Sequence, residues 1–174
     1  MNRIYTKNLS GMVYQSKSSP NRNSTVGCVT SSGLLNVWDL NSPPHNVIHS
    51  LPHGNDVLTL EWHKDNQHYV LTGSSDGVIR LWDLRNHYQP VKRFFGHDLA
   101  VRNLVVSKFN DFLSCSYDMT VRSWDINDTL NHRSLRHHSE FVYGIDICPF
   151  NSNLAVDCSW DEIISLFHHC MNPY

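Results

Sequence analysis

No stretch of the 174 residues approaches the ~20 consecutive apolar residues of a membrane-spanning helix. The amino terminus, MNRIYTKNLSG, lacks the apolar core of a secretion signal. Direct membrane insertion is therefore not expected. C-x-x-C is missing, and the five cysteines (Cys28, Cys115, Cys148, Cys158, Cys170) are an odd set. That argues against a disulfide framework and for reduced, mostly buried thiols in a cytosolic or nuclear protein. The sequons at Asn8, Asn23 and Asn127 are then idle. Charge of one sign is also scarce, with 14 Lys and Arg against 16 Asp and Glu, a formal net charge of -2. With no basic excess or stripe to hold a polyanion, no nucleic-acid partner is expected. There is no G-x-S-x-G elbow, H-E-x-x-H motif or Gly-rich phosphate loop, so no enzyme is expected. No cofactor and no metal are expected either. His168, His169 and Cys170 are adjacent on a tail, where side chains rarely point at one ion.

What the chain does have is a repeat. Its composition is globular, 40% apolar and 17% charged, and its length suits one domain. Trp38-Asp39, Trp82-Asp83 and Trp124-Asp125 recur at spacings of 44 and 42, and Phe167-His168 follows 43 residues later. Six residues before the last three anchors stand Asp76, Asp118 and Asp161, with Ser32 in the first unit. Upstream come His53, His97 and His138, each followed four residues on by Val57, Val101 or Val142. Short alternating runs split by turn residues fill each unit: DVLTLEW, YVLTGS, VIRLWD and PVKRFF in one, AVRNLVV, FLSCS, TVRSWD and HRSL in the next. They read as strands, with Ser75-Asp76-Gly77 as a hairpin turn. A period of ~40–45 residues with a WD pair is the signature of four-stranded propeller blades. The fold class is thus all-β, a WD-repeat β-propeller of about four blades from a ring that normally has seven.

The expected organisation is a single partial propeller over 1–174. It comprises a degenerate blade at 3–50, blades at 53–94 and 97–135, and a last blade at 138–167 without its outer strand. In the first unit RIYTKNLS is the candidate first strand and SKSSPNRNS (16–24) a polar loop. The chain reads as the C-terminal portion of a longer propeller, possessing an open edge.

From about residue 53 to 167 the chain resembles the receptors for the type 2 peroxisomal targeting signal, the peroxin-7 family. The residues that carry the likeness are TGSSDGVIRLWDLRNHYQPV, GHDLAVRNLVVS, SCSYDMTVRSWD, HHSEFVYGIDI and VDCSWDEIISLF. Asp157 stands in the Ser/Thr slot of the last unit, an unusual shared departure. In WD-repeat proteins the repeated His, Ser/Thr, Asp and Trp form a hydrogen-bonded tetrad. Here the sets are His53, Thr72, Asp76, Trp82 and His97, Ser114, Asp118, Trp124. The last unit keeps His138 and Asp161 but has Phe167, which carries no N–H. The resemblance implies a cargo receptor without catalysis, moving between the cytoplasm and the peroxisome. Its partners would be proteins bearing an N-terminal signal of the form [R/K]-[L/V/I]-x5-[H/Q]-[L/A], with the long form of the type 1 signal receptor as co-receptor.

Cargo contacts are expected on the rim where each first strand begins. Asp56, Ala100 and Glu140 stand there with Phe141 next, and the neighbouring turns add Ser75, Tyr117 and Trp160. The candidate cargo-binding set is Asp56, Glu140, Phe141, Tyr117 and Trp160, two carboxylates beside aromatic surface. A helical signal with a cation and a Leu stripe suits that mixture. Trp160 packing between blades is the alternative, as is His137 being merely exposed beside His138. A competing function is an adaptor for a cullin ubiquitin ligase, on the single WDxR match Trp82-Asp83-Leu84-Arg85. There the Arg more often makes a local ion pair.

Overall fold

The structure is a computed structural model and describes residues 6, 8–41, 47–86, 88–107, 111–130 and 132–169. Among them lie fifteen strands and no helix. Sheet I contains β1 (Val13–Ser18), β2 (Thr25–Thr30), β3 (Leu34–Asp39) and β4 (Val47–Pro52). Sheet II contains β5 (Val57–Trp62), β6 (Tyr69–Ser74), β7 (Ile79–Asp83) and β8 (Lys92–Phe94). Sheet III contains β9 (Val101–Val106), β10 (Asp111–Ser116), β11 (Val121–Asp125) and β12 (His132–Leu135). Sheet IV contains β13 (Val142–Ile147), β14 (Leu154–Ser159) and β15 (Ile164–His168). Every sheet is an antiparallel meander in chain order. The first strands pack side by side, β1 on β5, β5 on β9 and β9 on β13, which is the arrangement of propeller blades.

Side chains of a strand alternate between its two faces, and in sheets II and III both faces are covered. Val70 of β6 belongs to the core shared with sheet I, and its neighbour Leu71 to the core shared with sheet III. Val29, Leu35, Val37 and Leu51 of sheet I meet Leu60, Trp62 and Trp82 of sheet II. Phe94 and Leu81 of sheet II meet Phe112 and Trp124 of sheet III, with Phe112 stacked on Trp124 at 11°. Leu113, Cys115 and Val121 of sheet III meet Val142, Ile145 and Ala155 of sheet IV. Burial on two faces is why these strands read as near-continuous apolar runs. Burying each such Leu or Phe contributes ~1.5–3 kcal/mol. On the other side of sheet IV, Ile164 and Leu166 are 74% and 69% exposed. Cys28 and Cys115 are buried thiols, Cys148 is half-buried and Cys158 is exposed.

The first strand differs from the sequence expectation. It is Val13–Ser18 and takes in the start of the stretch read as a polar loop. Half of RIYTKNLS lies outside the described residues, and the described half precedes the strand. Polar contacts hold β1 where hydrophobic alternation is weak. The Gln15 side-chain oxygen Oε1 accepts from Leu60 N–H at 2.8 Å and from the Thr59 hydroxyl at 3.0 Å, and Lys17 pairs with Glu61. Tyr14 packs against the core between sheets I and II. A depression of about 560 Å3 lies between the first strands, lined by Gln15, Lys17, Glu61, Asn103 and Asp146 among others.

The turn between the second and third strands of each sheet holds one residue in the left-handed region: Gly33 (73°), Gly77 (77°), Met119 (65°) and Glu162 (67°). Glycine suits the first two turns, whereas Met119 and Glu162 carry the strain of a Cβ there. A Cβ on Gly77 would stand 2.5 Å from the His97 carbonyl oxygen, so backbone from the next blade forbids it. Gly77→Ala is expected to lower unfolding free energy by ~1–3 kcal/mol. Met119→Gly, which relieves strain at an equivalent position, is expected to stay within ~1 kcal/mol of the unsubstituted chain. Urea denaturation of the two variants checks both.

Candidate functional site

The repeated polar residues form a relay of donors inside the blades. In sheet III Trp124 Nε1–H donates to Ser114 Oγ at 2.8 Å. Ser114 Oγ lies 2.7 Å from His97 Nε2, and His97 Nδ1 lies 2.8 Å from Asp118. With Ser114 donating to Nε2 and Nδ1–H donating to the carboxylate, every proton has one acceptor. Burial pushes His97 below the usual histidine value, against the opposing pull of Asp118.

Sheet II closes only part of this relay. Trp82 Nε1–H donates to Thr72 Oγ1 at 2.9 Å and His53 Nε2 lies 2.7 Å from the same oxygen. His53 Nδ1, however, bonds the Leu51 carbonyl at 3.0 Å, and Asp76 is bound by Arg80 at 2.6 Å. Asp76 is thus not the partner of His53 that the tetrad reading placed there. Two neighbours explain the difference. In sheet III Thr120 Oγ1 bonds both Asp118 and His97, and His132 engages the Arg122 guanidinium. Sheet II has Val78 in place of Thr120, and Arg80 turns to Asp76 and to the Ser74 hydroxyl. Burial alone would raise the Asp76 carboxyl, but hydrogen bonds from Arg80, Ser74 and Val78 N–H bring it down to about 2.

In sheet I the buried Trp38 Nε1 has no partner among the described residues, and Thr30 Oγ1 pairs with Ser32 Oγ at 2.7 Å. Sheet IV reassigns the roles. His138 Nε2 lies 2.9 Å from Asp157 and its Nδ1 2.8 Å from Asp161. His137 Nε2 lies 2.7 Å from the second Asp157 oxygen, its ring 5.6 Å from that of Phe167. His137 therefore supplies a nitrogen to the relay that Phe167 cannot, and is not merely exposed. Burial would lower His138, but its bonds to Asp157 and Asp161 and their charges hold it above the usual value.

The rim above these relays carries the candidate cargo residues. Backbone bonds set its register: the carbonyls of Asp56, Ala100 and Phe141 accept from the amides of Ser75, Tyr117 and Trp160. Phe141, not Glu140, is thus the counterpart of Asp56. Glu140 stands one residue earlier, level with Leu99, and each of these two carbonyls accepts a serine hydroxyl, from Ser159 and Ser116. Counting on from His138 with one residue too few produces the slip. Glu140 is exposed, whereas Asp56 is half-buried and accepts from the Tyr14 hydroxyl at 3.0 Å.

Tyr117, Phe141 and Trp160 come together. Tyr117 stacks on Phe141 with centroids 4.8 Å apart, and Phe141 meets Trp160 at 5.3 Å. Trp160 is 59% exposed and lies on the rim. Two members escaped the sequence reading. Tyr143 stacks on Trp160 at 5.7 Å, and the Arg102 guanidinium sits 4.6 Å above the Tyr143 ring. The available signal was nearness in sequence, since Tyr143, at the bulge that opens β13, stands two residues beyond Phe141. Bonds with Arg102 and Tyr117 hold the Tyr143 phenol below its usual value. At the opposite rim, the Arg85 guanidinium grips the Asp83 carboxylate through Nε and Nη2 at 3.0 and 2.6 Å.

The WD domain, G-beta repeat family matches residues 45–83, 88–125 and 130–168, most of the chain. The chain belongs to the WD-repeat family. This WD-repeat chain is similar to the peroxisomal targeting signal 2 receptor of Schizosaccharomyces pombe, 31% identical over 154 residues that cover 87% of the chain and 48% of the relative. The mouse receptor of the same name is 40% identical over 87 residues, 48% of the chain and 27% of the relative. The E3 ubiquitin-protein ligase COP1 of Arabidopsis thaliana is 34% identical over 108 residues, 62% of the chain and 16% of the relative. The chain spans about half the length of the S. pombe relative and less of the other two.

Two outcomes follow from the relay. Burial depresses His53 to about 4, whereas the unfolded chain binds that proton near ~6.5. Between these values the unfolded state holds the proton that the folded state refuses, so stability falls as pH drops. By pH ~5 the unsubstituted chain should lose ~2 kcal/mol more than His53→Gln does, relative to pH ~7.5, in paired denaturation curves. Trp124→Phe should cost ~1–3 kcal/mol by leaving Ser114 without its donor, and Trp38→Phe less than ~1 kcal/mol, by thermal denaturation.

Proposed function

We propose that this chain contributes the recognition rim of an import receptor for proteins with N-terminal type 2 peroxisomal targeting signals. The observation that carries the proposal is the aromatic shelf of half-buried Tyr117 and Phe141 and exposed Tyr143 and Trp160, with Glu140 next to Phe141 in the chain. The similarity to receptors named for this signal supports it. A signal of the form [R/K]-[L/V/I]-x5-[H/Q]-[L/A], wound as a helix, gathers its apolar residues on one stripe and leaves the cation near one end. A Leu settled on the shelf contributes ~1.5–3 kcal/mol by burial. Asp56 and Glu140 are the acceptors for the cation, a charged hydrogen bond of ~1.5–3 kcal/mol. Asp56 exchanges its Tyr14 bond for that contact, so Glu140 is the freer of the two. The co-receptor of this reading is the long form of the type 1 signal receptor, with cycling between the cytoplasm and the peroxisome. The rim performs no chemistry in it.

The ligase-adaptor alternative has less support, because the exposed Arg85 makes a local ion pair with Asp83 in the same turn. Fluorescence anisotropy with a labelled type 2 signal peptide tests the receptor reading. Saturable binding is expected, weakened at least tenfold (~1.4 kcal/mol) by Trp160→Ala and by Glu140→Lys. Binding that ignores both substitutions, or no saturable binding at all, removes the rim from signal recognition.

A further inference from the structure

In sheet IV the proton count of the relay does not close as it does in sheet III. Ser114 both accepts from Trp124 and donates to His97, whereas the carboxylate that replaces it, Asp157, only accepts. His138 lies between two such acceptors, 2.9 Å from Asp157 and 2.8 Å from Asp161. A neutral imidazole has one N–H and can serve only one of them. The contact with Asp157 needs a second positive group, either another proton or a metal ion. The His137 Nε2 atom converges on the same carboxylate at 2.7 Å.

We propose that His137, His138 and Asp157 bind a divalent transition-metal ion of the zinc class. One ligand atom from each of the three residues lies within 4.8 Å of the others, the only such set of three found among the described residues. Zinc holds N and O ligands at ~2.0–2.2 Å, which separates neighbouring ligand atoms by roughly 3.2–3.5 Å. The two His–carboxylate contacts, at 2.7 and 2.9 Å on different Asp157 oxygens, need to open by about half an ångström, and the wider spacings of the set, up to 4.8 Å, need to close by about one ångström to admit the ion. Two imidazoles and one carboxylate suit zinc, whereas magnesium and calcium favour oxygen alone. Asp161 fixes the second ring nitrogen of His138, orienting the ligand in the carboxylate–histidine–metal manner. Asp161 is itself held by the amides of Ser139 and Ile163 at 3.0 and 3.1 Å. Asp157 and His138 are buried, while the His137 side chain is 29% exposed and gives the ion access and room for a water ligand. Neither sheet II nor sheet III offers this set, because Thr72 and Ser114 occupy the place of Asp157.

Titration of the full chain with zinc chloride, read by isothermal calorimetry and by the shift in Tm, tests the site. One ion per chain is expected, with a rise in Tm. His137→Ala should weaken binding at least tenfold. A second variant keeps the fold in view: Asp157→Ser with Phe167→Trp rebuilds the Ser and Trp pair of sheet III. It should fold cooperatively yet bind no zinc at this site, while His168→Ala leaves binding intact. Absence of zinc binding by the folded chain overturns the proposal, because a second proton on His138 then completes the relay alone. Zinc binding that survives His137→Ala and the double substitution overturns it equally, by placing the ion on other histidines.

Discussion

Everything in this fold turns on what happens to the buried N–H of an indole. A tryptophan packed between two sheets brings a donor that water cannot reach, and an unmet donor of that kind costs ~1–3 kcal/mol. Sheet III meets the demand with a hydroxyl, an imidazole and a carboxylate in series, from Trp124 to Asp118. The series ties the third strand to the second, and the second to the loop that leads into the first. One satisfied proton chain therefore fixes the relative position of three segments. The other sheets vary the same solution. Sheet II ends its chain on a backbone carbonyl, sheet I leaves Trp38 unanswered among the described residues, and sheet IV replaces indole with Phe167 and recruits His137.

Because the repeated polar residues are consumed inside the blades, the side chains left open to a partner are those between them. The loop that follows each relay histidine and the turn that holds the left-handed residue meet on one rim. There the aromatic side chains of sheets III and IV gather across a blade boundary, with Arg102 lying on Tyr143. Their neighbours Leu99, Met119 and Ile163 are 48%, 38% and 50% exposed, which extends the apolar character of this quarter. A surface of this composition is suited to an amphipathic partner. The histidines below hold the rim in place without reaching it.

The sequence showed most clearly what the repeat enforces. The WD period, the alternating runs and the residue types of the relay belong to every blade, so each copy corrects the reading of the others. What was hidden depends on single neighbours. Asp76 leaves His53 because position 78 is Val where sheet III has Thr120, a difference of one hydroxyl. The first strand was misplaced because polar partners hold it, Gln15 to Leu60 and Lys17 to Glu61, where the eye looks for hydrophobic alternation. The acid at the rim was read one residue out of step, since Glu140 is adjacent to the true counterpart, Phe141. His137 looked like a spare copy of His138, and only the geometry around Phe167 gives it a partner.

The three cores are each shared by two sheets, and no sheet owns one. Such an assembly behaves as a linear chain of coupled units, in which a unit's survival depends on its two neighbours and hardly at all on the rest. Sheets II and III have two couplings each, so their amide protons belong to the most protected, slowest-exchanging class. Sheet IV shows solvent the apolar side chains Ile164 and Leu166 of β15, and His137, His138 and the aromatic shelf belong to this less covered part of the array. A ligand seated there would steady sheet IV and, through the core the two share, sheet III, while the sheets beyond would feel it little.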